Sequence, residues 1–302
     1  MQNIFDLEWA EKDHHLSQSF YKLYQSQGLT DETAQAFRSI LYHFYGLRRR
    51  SFAWREVISP YRVVVSEVML QQTQTDRVAT KFDPFIDRFP DFASLAQAPF
   101  DEVLRLWKGL GYNRRALALQ KIAKKVTDEF QGELPQTVEA LISFPAIGPA
   151  TANAILAYAF QHQAVFIETN IRTVIIYFFF KNLTDITDKQ LMPIVEKVLD
   201  RKSPRDWYYA LMDYGVMLKK REGNLSRFSA HYQKQSKFEG SDRQIRGMIL
   251  QHLLDHGSSS IDRLINHFQL LGKEEVRVRK ILQMLVDDEM LHVSDNLCCL
   301  KA

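Results

Sequence analysis

The chain of 302 residues is 46% hydrophobic and 25% charged, with a formal net charge of +3 at pH 7, which is typical of a folded protein of two or three modest domains and not of a disordered chain. Its longest strongly apolar stretch, Ile171–Phe180, is about half a membrane span and favours a buried helix. The N-terminal residues have acidic groups where a signal peptide needs a basic head and an apolar run, so we expect a cytoplasmic protein with no membrane partner.

Apolar residues recur at three- and four-residue spacing through the first half of the chain, a pattern that predicts helices. These helices are expected at Ala34–Tyr45, Thr73–Phe89, Phe100–Leu110, Arg114–Phe130 and Gln136–Ser143. Short segments containing Gly or Pro separate them, as loops between packed helices require. The sequence shows no internal repeat and no low-complexity segment.

A single carboxylate, Glu67, lies between two apolar triplets, Val63–Val65 and Val68–Leu70. On a helix it shares a largely apolar face, and the desolvation expected there raises the pKa of a carboxyl. A Glu with a raised pKa is protonated near neutral pH and can act as a general acid. The alternative, slightly favoured by the residues alone, is a Glu at the rim of a core helix. Gln71 and Gln72 follow with amide groups suited to insertion beside bases, although such a run is commonly only a polar helix end.

The segment FPAIGPATANAIL, residues 144–156, contains a tight turn followed by a helix rich in small residues. Backbone amides at such a turn and helix start can hold a DNA phosphate without any side-chain charge. A plain helix–turn–helix packing unit is the alternative that the residues leave open. The candidate DNA-binding residues of this hairpin are Ile147, Gly148, Ala150 and Thr151.

A second carboxylate, Glu168, follows a short extended apolar run, Val165–Ile167, at the start of a helix that Thr169 or Asn170 is expected to cap. The helix dipole favours the ionised carboxylate at this position. A fixed negative charge is what an oxocarbenium-like transition state at a sugar requires, although a lone Glu here more commonly just completes a cap. Two carboxylates with opposite pKa tendencies are more informative than either one alone.

The composition changes at residues 226–241, a polar, basic and weakly periodic segment that indicates a linker. The elements expected beyond it are helices at Asp242–His256, Ser260–Phe268 and Lys273–Asp287 and a hairpin of Leu291–Val293 with Leu297–Leu300. Three helices and a hairpin make a winged helix. Such a module binds DNA or other proteins, and its nearly balanced charge leaves both functions open.

The two cysteines, Cys298 and Cys299, are adjacent. Neighbouring cysteines rarely pair with each other, and two thiols cannot build a four-cysteine iron–sulfur cluster. The histidines lack the spacing of metal ligands. The sequence therefore predicts a protein with no cofactor and no metal site.

Because the net charge is small, a nucleic-acid surface must come from local basic clusters. Each cluster taken alone is more often an ordinary solvated surface. The clusters are Arg48-Arg49-Arg50, Arg114-Arg115 and Lys219-Lys220-Arg221.

Several of these segments resemble those of the MutY-type adenine glycosylases, a branch of the helix-hairpin-helix DNA glycosylases, in the same order and spacing. They are SEVMLQQTQT at 66–75, LWKGLGYNRRALAL at 106–119, FPAIGPATANAIL at 144–156, FIETNIRTV at 166–174 and ALMDYGVML at 210–218. The match covers residues 34–218, and the EVMLQQTQ element is highly specific. The resemblance implies an all-α fold, a two-domain helix-hairpin-helix core, to which the small C-terminal winged helix is added.

The resemblance also implies catalytic roles. Glu67 would protonate a flipped purine at N7, Glu168 matches an Asp that supports the sugar cation, and Asn170 matches an Asn beside it. Bifunctional relatives carry a Schiff-base lysine at the position of Ala150, so strand cleavage by an amine is not expected.

For DNA binding, the resemblance implies that Gln71 and Gln72 enter the base stack. Tyr112 belongs to the loop that wedges the duplex, and Arg114 follows it as a further DNA-binding candidate. The expected partner is double-stranded DNA with a damaged or mismatched base, bound by a monomer that, in a bacterium, is associated with the nucleoid.

The sequence departs from the family in several places. Glu168 replaces the family's Asp, and Ala146 stands where the hairpin usually has its first Gly. No cluster cysteines follow Leu218, and the family's Nudix-like domain is replaced by the winged helix. The backbone contacts that the cluster loop organises are expected from Lys219, Lys220, Arg221, Lys234 and Lys237.

The predicted organisation is an N-terminal extension at 1–33, a glycosylase core at 34–225, a basic linker at 226–241 and a winged helix at 242–302. Within the core, a six-helix barrel is expected at about 62–165 and a second helical domain at about 34–61 plus 166–225. The predicted function is a monofunctional DNA glycosylase acting on adenine mispaired with G or 8-oxoguanine. A glycosylase for hypoxanthine or an alkylpurine, a non-catalytic DNA-binding protein and an endonuclease III-like lyase remain as alternatives.

Overall fold

The computed structural model describes residues 4–181, 183–230, 232 and 237–301, with side chains from residue 13 onward. Over these residues the chain forms sixteen α-helices, one 3₁₀ turn and three short strands. The helices are α1 Ile4–Gln27, α2 Asp31–Arg48, α3 Ala53–Glu56, α4 Pro60–Leu70, α5 Thr75–Arg88, α6 Phe92–Gln97, α7 Phe100–Trp107, α8 Arg114–Glu129, α9 Val138–Ile142, α10 Pro149–Phe160, α11 Thr169–Phe179, α12 Asp188–Val198, α13 Pro204–Glu222, α14 Asp242–His256, α15 Ile261–Leu270 and α16 Glu275–Asp287. The 3₁₀ turn is Leu225–Phe228, and the strands are β1 Ser258–Ser260, β2 Leu291–Ser294 and β3 Leu297–Leu300.

All five helices expected in the first half of the chain are present, with ends that shift by a few residues. The clearest shift is at α2, which begins earlier than its apolar pattern. Thr30 caps this helix by accepting a hydrogen bond from the backbone N–H of Thr33 at 3.2 Å, and the acidic Asp31 and Glu32 occupy its first turn. Polar residues therefore start the helix before its buried face begins.

The apolar stretch in the middle of the chain forms α11, whose side chains are largely buried, as the sequence predicts. Among the described residues, no helix is both long and apolar enough to cross a membrane.

The chain forms two compact units, each made of two separate stretches. Unit 1 contains Met1–Ser51 and Pro149–Lys234, and unit 2 contains Phe52–Gly148 and Gln235–Ala302. The sequence-based division near residues 165 and 166 thus differs from the structure, where the chain passes between units at Gly148 and Pro149. Residues 1–33 are grouped within unit 1 and the winged helix within unit 2.

A buried charge network holds α1 in unit 1. The Asp13 carboxylate of α1 is fully buried and accepts hydrogen bonds from the Tyr214 hydroxyl and, at 2.5 Å, from Arg221. Burial raises the pKa of Asp13, although Arg221 acts in the opposite direction. Because Arg221 and Tyr214 belong to α13, the network ties the N-terminal helix to the core of its unit instead of leaving it as an extension.

The winged helix contains the three helices and the hairpin that the sequence predicts, together with a strand that it does not. The sheet has the order β1-β3-β2 with antiparallel pairs, in which Cys299 lies opposite both Ser258 and His292. Strand β1 is three serines without any alternating pattern, and its pairing with β3 makes it a strand. Cys298 is buried and Cys299 is half-buried, because successive side chains of a strand point to opposite faces.

Candidate functional site

The candidate acid Glu67 lies on α4 in unit 2. Ser59 caps this helix by accepting from the backbone N–H of Arg62 at 3.2 Å, and Pro60 occupies its first position, where no N–H is needed. Glu67 is half-buried, whereas Val64 and Val68 are fully buried. The structure therefore places one carboxyl within the predominantly apolar face that the residue spacing predicts.

Helix α4 ends in a loop that carries the two candidate glutamines. Gln71 terminates the helix, and its side-chain amide donates to the carbonyl oxygen of Ala146 at 2.9 Å. Gln72 is exposed and has a left-handed backbone, with φ of 54°. The first glutamine is thus bound to the hairpin of the same unit, and the second presents its side chain to solvent.

A buried arginine closes the C-terminal end of α4. Arg115 is 6% exposed and donates to the carbonyl oxygens of Val68 at 2.9 Å, of Met69 at 2.8 Å and of Gln71. The last carbonyls of a helix have no partner within it, so this guanidinium satisfies them. Burial lowers the pKa of Arg115 to about 10, which leaves the group charged at neutral pH.

The same guanidinium organises the loop at residues 108–113, which we call the wedge loop. Arg115 donates to the carbonyl oxygens of Leu110 at 3.1 Å and Gly111 at 3.0 Å. Tyr112 is half-buried and has a left-handed backbone, with φ of 46°. Arg114 is exposed, and its Nε lies 2.6 Å from the Asp288 carboxylate of the winged helix. The predicted DNA-binding Arg114 is therefore engaged by an acidic partner.

The hairpin exposes some of its candidate DNA-binding residues and buries others. The Ile147 side chain is 5% exposed and therefore buried. The backbone N–H of Ile147 donates to the Phe144 carbonyl oxygen at 3.3 Å, within the protein. Gly148 and Ala150 are exposed and Thr151 is half-buried, so the first turn of α10 retains the exposed backbone. Ala146 has φ of 61°, which explains why a Gly suits this position, because a Cβ is unfavourable there.

In unit 1, the second carboxylate is itself the cap of α11, which corrects the expectation that Thr169 or Asn170 would serve. Glu168 Oε1 accepts from the backbone N–H groups of Asn170 at 2.6 Å and Ile171 at 3.0 Å. The reason is that its extended backbone turns the longer side chain back onto the first helical turn. Burial raises the pKa of Glu168, while these two backbone hydrogen bonds act to lower it. The ionised form is therefore less favoured than the helix dipole alone predicts.

Asn170 is fixed by its packing against α13. Its side-chain amide lies 3.5 Å from Glu168 Oε2 and 3.9 Å from the sulfur of Met212. A Cβ added to Gly215 would lie 2.6 Å from the Cβ and 2.7 Å from the carbonyl oxygen of Asn170, so only glycine permits this approach. Sequence reasoning missed Gly215 as a site residue, although a glycine in the interior of the helical ALMDYGVML segment was a signal for close packing.

Each basic cluster has one arginine turned inward. Arg50 pairs with the buried Asp213 at 2.7 Å, Arg115 serves α4, and Arg221 pairs with Asp13. Each of these three arginines therefore forms contacts within the protein. Of the residues expected to supply backbone contacts to DNA, Lys219, Lys220 and Lys237 are exposed, and Lys234 lies outside the described residues.

Residues 65–203 match the model of the HhH-GPD superfamily of base excision DNA repair proteins, and this part of the chain belongs to that superfamily. The helix-hairpin-helix DNA glycosylase superfamily expected from the sequence motifs is thereby confirmed.

Two adenine DNA glycosylases and one solved glycosylase structure are among the proteins similar to this chain. An adenine DNA glycosylase of Buchnera aphidicola subsp. Baizongia pistaciae (strain Bp) is 34% identical over 178 residues, which is 59% of this chain and 50% of that protein. An adenine DNA glycosylase of Mycolicibacterium smegmatis (strain ATCC 700084 / mc(2)155) is 29% identical over 274 residues, 85% of this chain and 93% of the relative. The structure of a thermostable thymine-DNA glycosylase matches with a TM-score of 0.55 at 26% identity, covering 61% of this chain and 86% of the other. This chain thus aligns with about half the length of the Buchnera protein.

Proposed function

We propose that the protein is a DNA glycosylase that hydrolyses the bond between a flipped purine and its deoxyribose, with adenine opposite guanine or 8-oxoguanine as the leading substrate. The observation that carries the proposal is the position of Glu67, a half-buried carboxyl beside the buried apolar side chains of Val64 and Val68. It lies within the matched superfamily domain. The adenine DNA glycosylases among the relatives support the choice of base.

In the proposed reaction, Glu67 donates a proton to N7 of the purine. The bond between C1′ and N9 then breaks, its electron pair leaves with the base, and positive charge develops on the sugar. Glu168, in its ionised form, stabilises this charge, and water adds to C1′ with loss of a proton. Asn170 supports Glu168 through the contact between their side chains.

We further propose that the enzyme is monofunctional. A lyase reaction needs an amine that attacks C1′, and the position expected for that amine is Ala150. The product is accordingly an abasic site whose strand breaks only after alkali treatment, and borohydride is expected to trap no covalent adduct.

The first experiment measures single-turnover base release from a panel of duplexes by the wild type, Glu67→Gln and the exposed control Glu133→Gln. The panel contains A:8-oxoguanine, A:G, hypoxanthine:T, 8-oxoguanine:C, an alkylpurine and T:G, the last because a structural relative is a thymine-DNA glycosylase. General acids contribute about 10²- to 10⁴-fold to a rate, so Glu67→Gln should slow release by this factor, whereas Glu133→Gln leaves it unchanged.

Each outcome decides a different part of the proposal. Alkali-dependent breaks at adenine that require Glu67 support the leading substrate. Release of hypoxanthine, an alkylpurine or thymine instead keeps the reaction class and replaces the base. Tight binding with no release from any duplex, the same in all three proteins, would show a non-catalytic DNA-binding protein.

A further inference from the structure

The winged helix contacts the two helices that flank the wedge loop of the same unit. Arg105 of α7 donates to the carbonyl oxygen of Leu254 at 2.6 Å. Lys121 of α8 pairs with Glu289, beside the Arg114 pair with Asp288. These contacts come from both sides of the wedge loop, which indicates a docked module with a defined position in unit 2.

Asp288 of the winged helix joins this module to α8. Its carboxylate accepts from both Arg114 and Arg246, the second an arginine of α14. Partial burial acts to raise the pKa of Asp288, but the hydrogen bonds from Arg114 and Arg246 hold it below its usual value. The carboxylate is therefore ionised at neutral pH and connects α8 to the winged helix.

One residue of the winged helix, Arg243, contacts Tyr112, the residue expected to wedge the duplex. Arg243, at the start of α14, donates from Nη1 to the Tyr112 hydroxyl at 2.5 Å. Its guanidinium carbon lies 5.3 Å from the centre of the Tyr112 ring, and that of Arg115 lies 5.5 Å from the same centre. Both separations are within the range of cation–π attraction.

Tyr112 needs such support because its backbone is unfavourable for a residue with a side chain. The left-handed conformation, here with φ of 46°, is strained for a residue other than glycine and persists only where surrounding contacts hold it. Arg115 fixes the carbonyl oxygens that precede Tyr112, and Arg243 fixes the hydroxyl at the far end of the side chain. The two arginines thus restrain both the backbone and the ring.

We propose, on the basis of the function proposed above, that Arg243 is a positioning residue for base flipping, which holds Tyr112 in the orientation that wedges the duplex. The winged helix then belongs to the DNA-opening site and is not a separate partner-binding module. This assignment gives the winged helix a role in the reaction, although it lies outside the matched superfamily domain.

The test measures base opening without bond cleavage. In the Glu67→Gln background, a duplex carrying 2-aminopurine beside the target adenine reports the opened base by its fluorescence. The variants are Arg243→Ala, Arg243→Lys, Tyr112→Phe and the pair Arg243→Ala with Tyr112→Phe. Arg279→Ala is the matched control, because the ion pairs of Arg279, with Glu275 at 2.8 Å and Asp262 at 3.9 Å, lie within the winged helix.

Because residues that act through one contact are coupled, Arg243→Ala and Tyr112→Phe should each reduce the opening equilibrium by about tenfold, and the double variant by no more than the larger single effect. Arg243→Lys should restore part of the loss, and Arg279→Ala should leave opening unchanged. Affinity for an undamaged duplex should change less than opening does in every variant, which a general folding defect would not produce.

Additive effects, or normal opening in Arg243→Ala, would overturn the role of Arg243. If Arg243→Ala fails to fold, the cycle is run with Arg243→Lys. Base release by the wild type tests the proposed function separately, so an active wild type with additive variants rejects only this inference. A protein that opens no base at all rejects both.

Discussion

Two helix ends, one in each unit, are closed by side chains of opposite charge. At the C-terminal end of α4, the Arg115 guanidinium donates to backbone carbonyl oxygens, and at the N-terminal end of α11, the Glu168 carboxylate accepts from backbone N–H groups. The helix dipole favours a positive group at the C-terminal end and a negative group at the N-terminal end, and both side chains follow this rule. At both helix ends burial disfavours the charged form of the side chain, since it lowers the pKa of Arg115 and raises the pKa of Glu168.

The two capping side chains differ in how many of their polar atoms form close hydrogen bonds. Arg115 donates through both terminal nitrogens to carbonyl and hydroxyl oxygens in three segments of its unit. Glu168 is held mainly through one oxygen, while its second lies at a longer 3.5 Å from the Asn170 amide. Both terminal nitrogens of Arg115 thus hold backbone in place, whereas Glu168 leaves its second oxygen with one weak contact.

The largest predicted effect is at Arg115. Arg115→Met removes a buried cation and leaves several buried carbonyl oxygens unsatisfied, so we expect a loss of about 3–5 kcal/mol in the free energy of unfolding. The neighbouring Arg114→Met is the matched control, since this exposed ion pair should contribute about 1 kcal/mol or less. Urea denaturation of the two variants checks the prediction. Equal losses for both would show that the buried cap of α4 adds no more stability than an exposed pair.

An intermediate effect is expected where α13 meets the first turn of α11. Gly215→Ala places a Cβ against the backbone of Asn170, which should cost about 1–3 kcal/mol through overpacking and slow base release by displacing Asn170. Gly46→Ala, within α2, meets nothing within 4 Å and should instead stabilise by about 0.5–1 kcal/mol. Thermal unfolding and single-turnover rates of both variants provide the comparison. A Gly215→Ala protein with normal stability and rate would contradict the close approach.

The smallest effect is a pH dependence at Glu168. A carboxyl whose folded-state pKa is raised stabilises the fold fully below its ordinary pKa of 4.5, and this stabilisation is lost as pH rises through the folded-state value. Glu168→Gln cannot ionise and keeps an oxygen that accepts the cap hydrogen bonds, which are worth about 1 kcal/mol. The wild type should therefore lose stability relative to Glu168→Gln as the pH rises above 4.5. Parallel denaturation series across this range test the sign, and the opposite slope would indicate a lowered pKa.

The sequence predicts the helices, the winged helix and the superfamily because these depend on local periodicity and short specific motifs. It does not predict which arginine of each basic cluster turns inward. Arg50 finds Asp213, and Arg221 finds Asp13, from distant positions in the chain. Most acceptors of Arg115 are backbone carbonyl oxygens, which every residue carries, so the side-chain types in the sequence do not reveal them. The docking of Arg243 on Tyr112 depends in the same way on tertiary structure that no local pattern encodes.

Both units are discontinuous in sequence, and this sets the order in which a nascent chain can complete them. The segment Phe52–Gly148 leaves the ribosome long before Gln235–Ala302, which finishes its unit, and Met1–Ser51 waits in the same way for Pro149–Lys234. Domains usually fold as units during synthesis, with the N-terminal one first. Here neither unit can close early, and the long sequence separation between paired segments slows folding. Since Arg243 and Asp288 are synthesised well after Tyr112 and Arg114, the contacts that join these residues form only once the winged helix has been made.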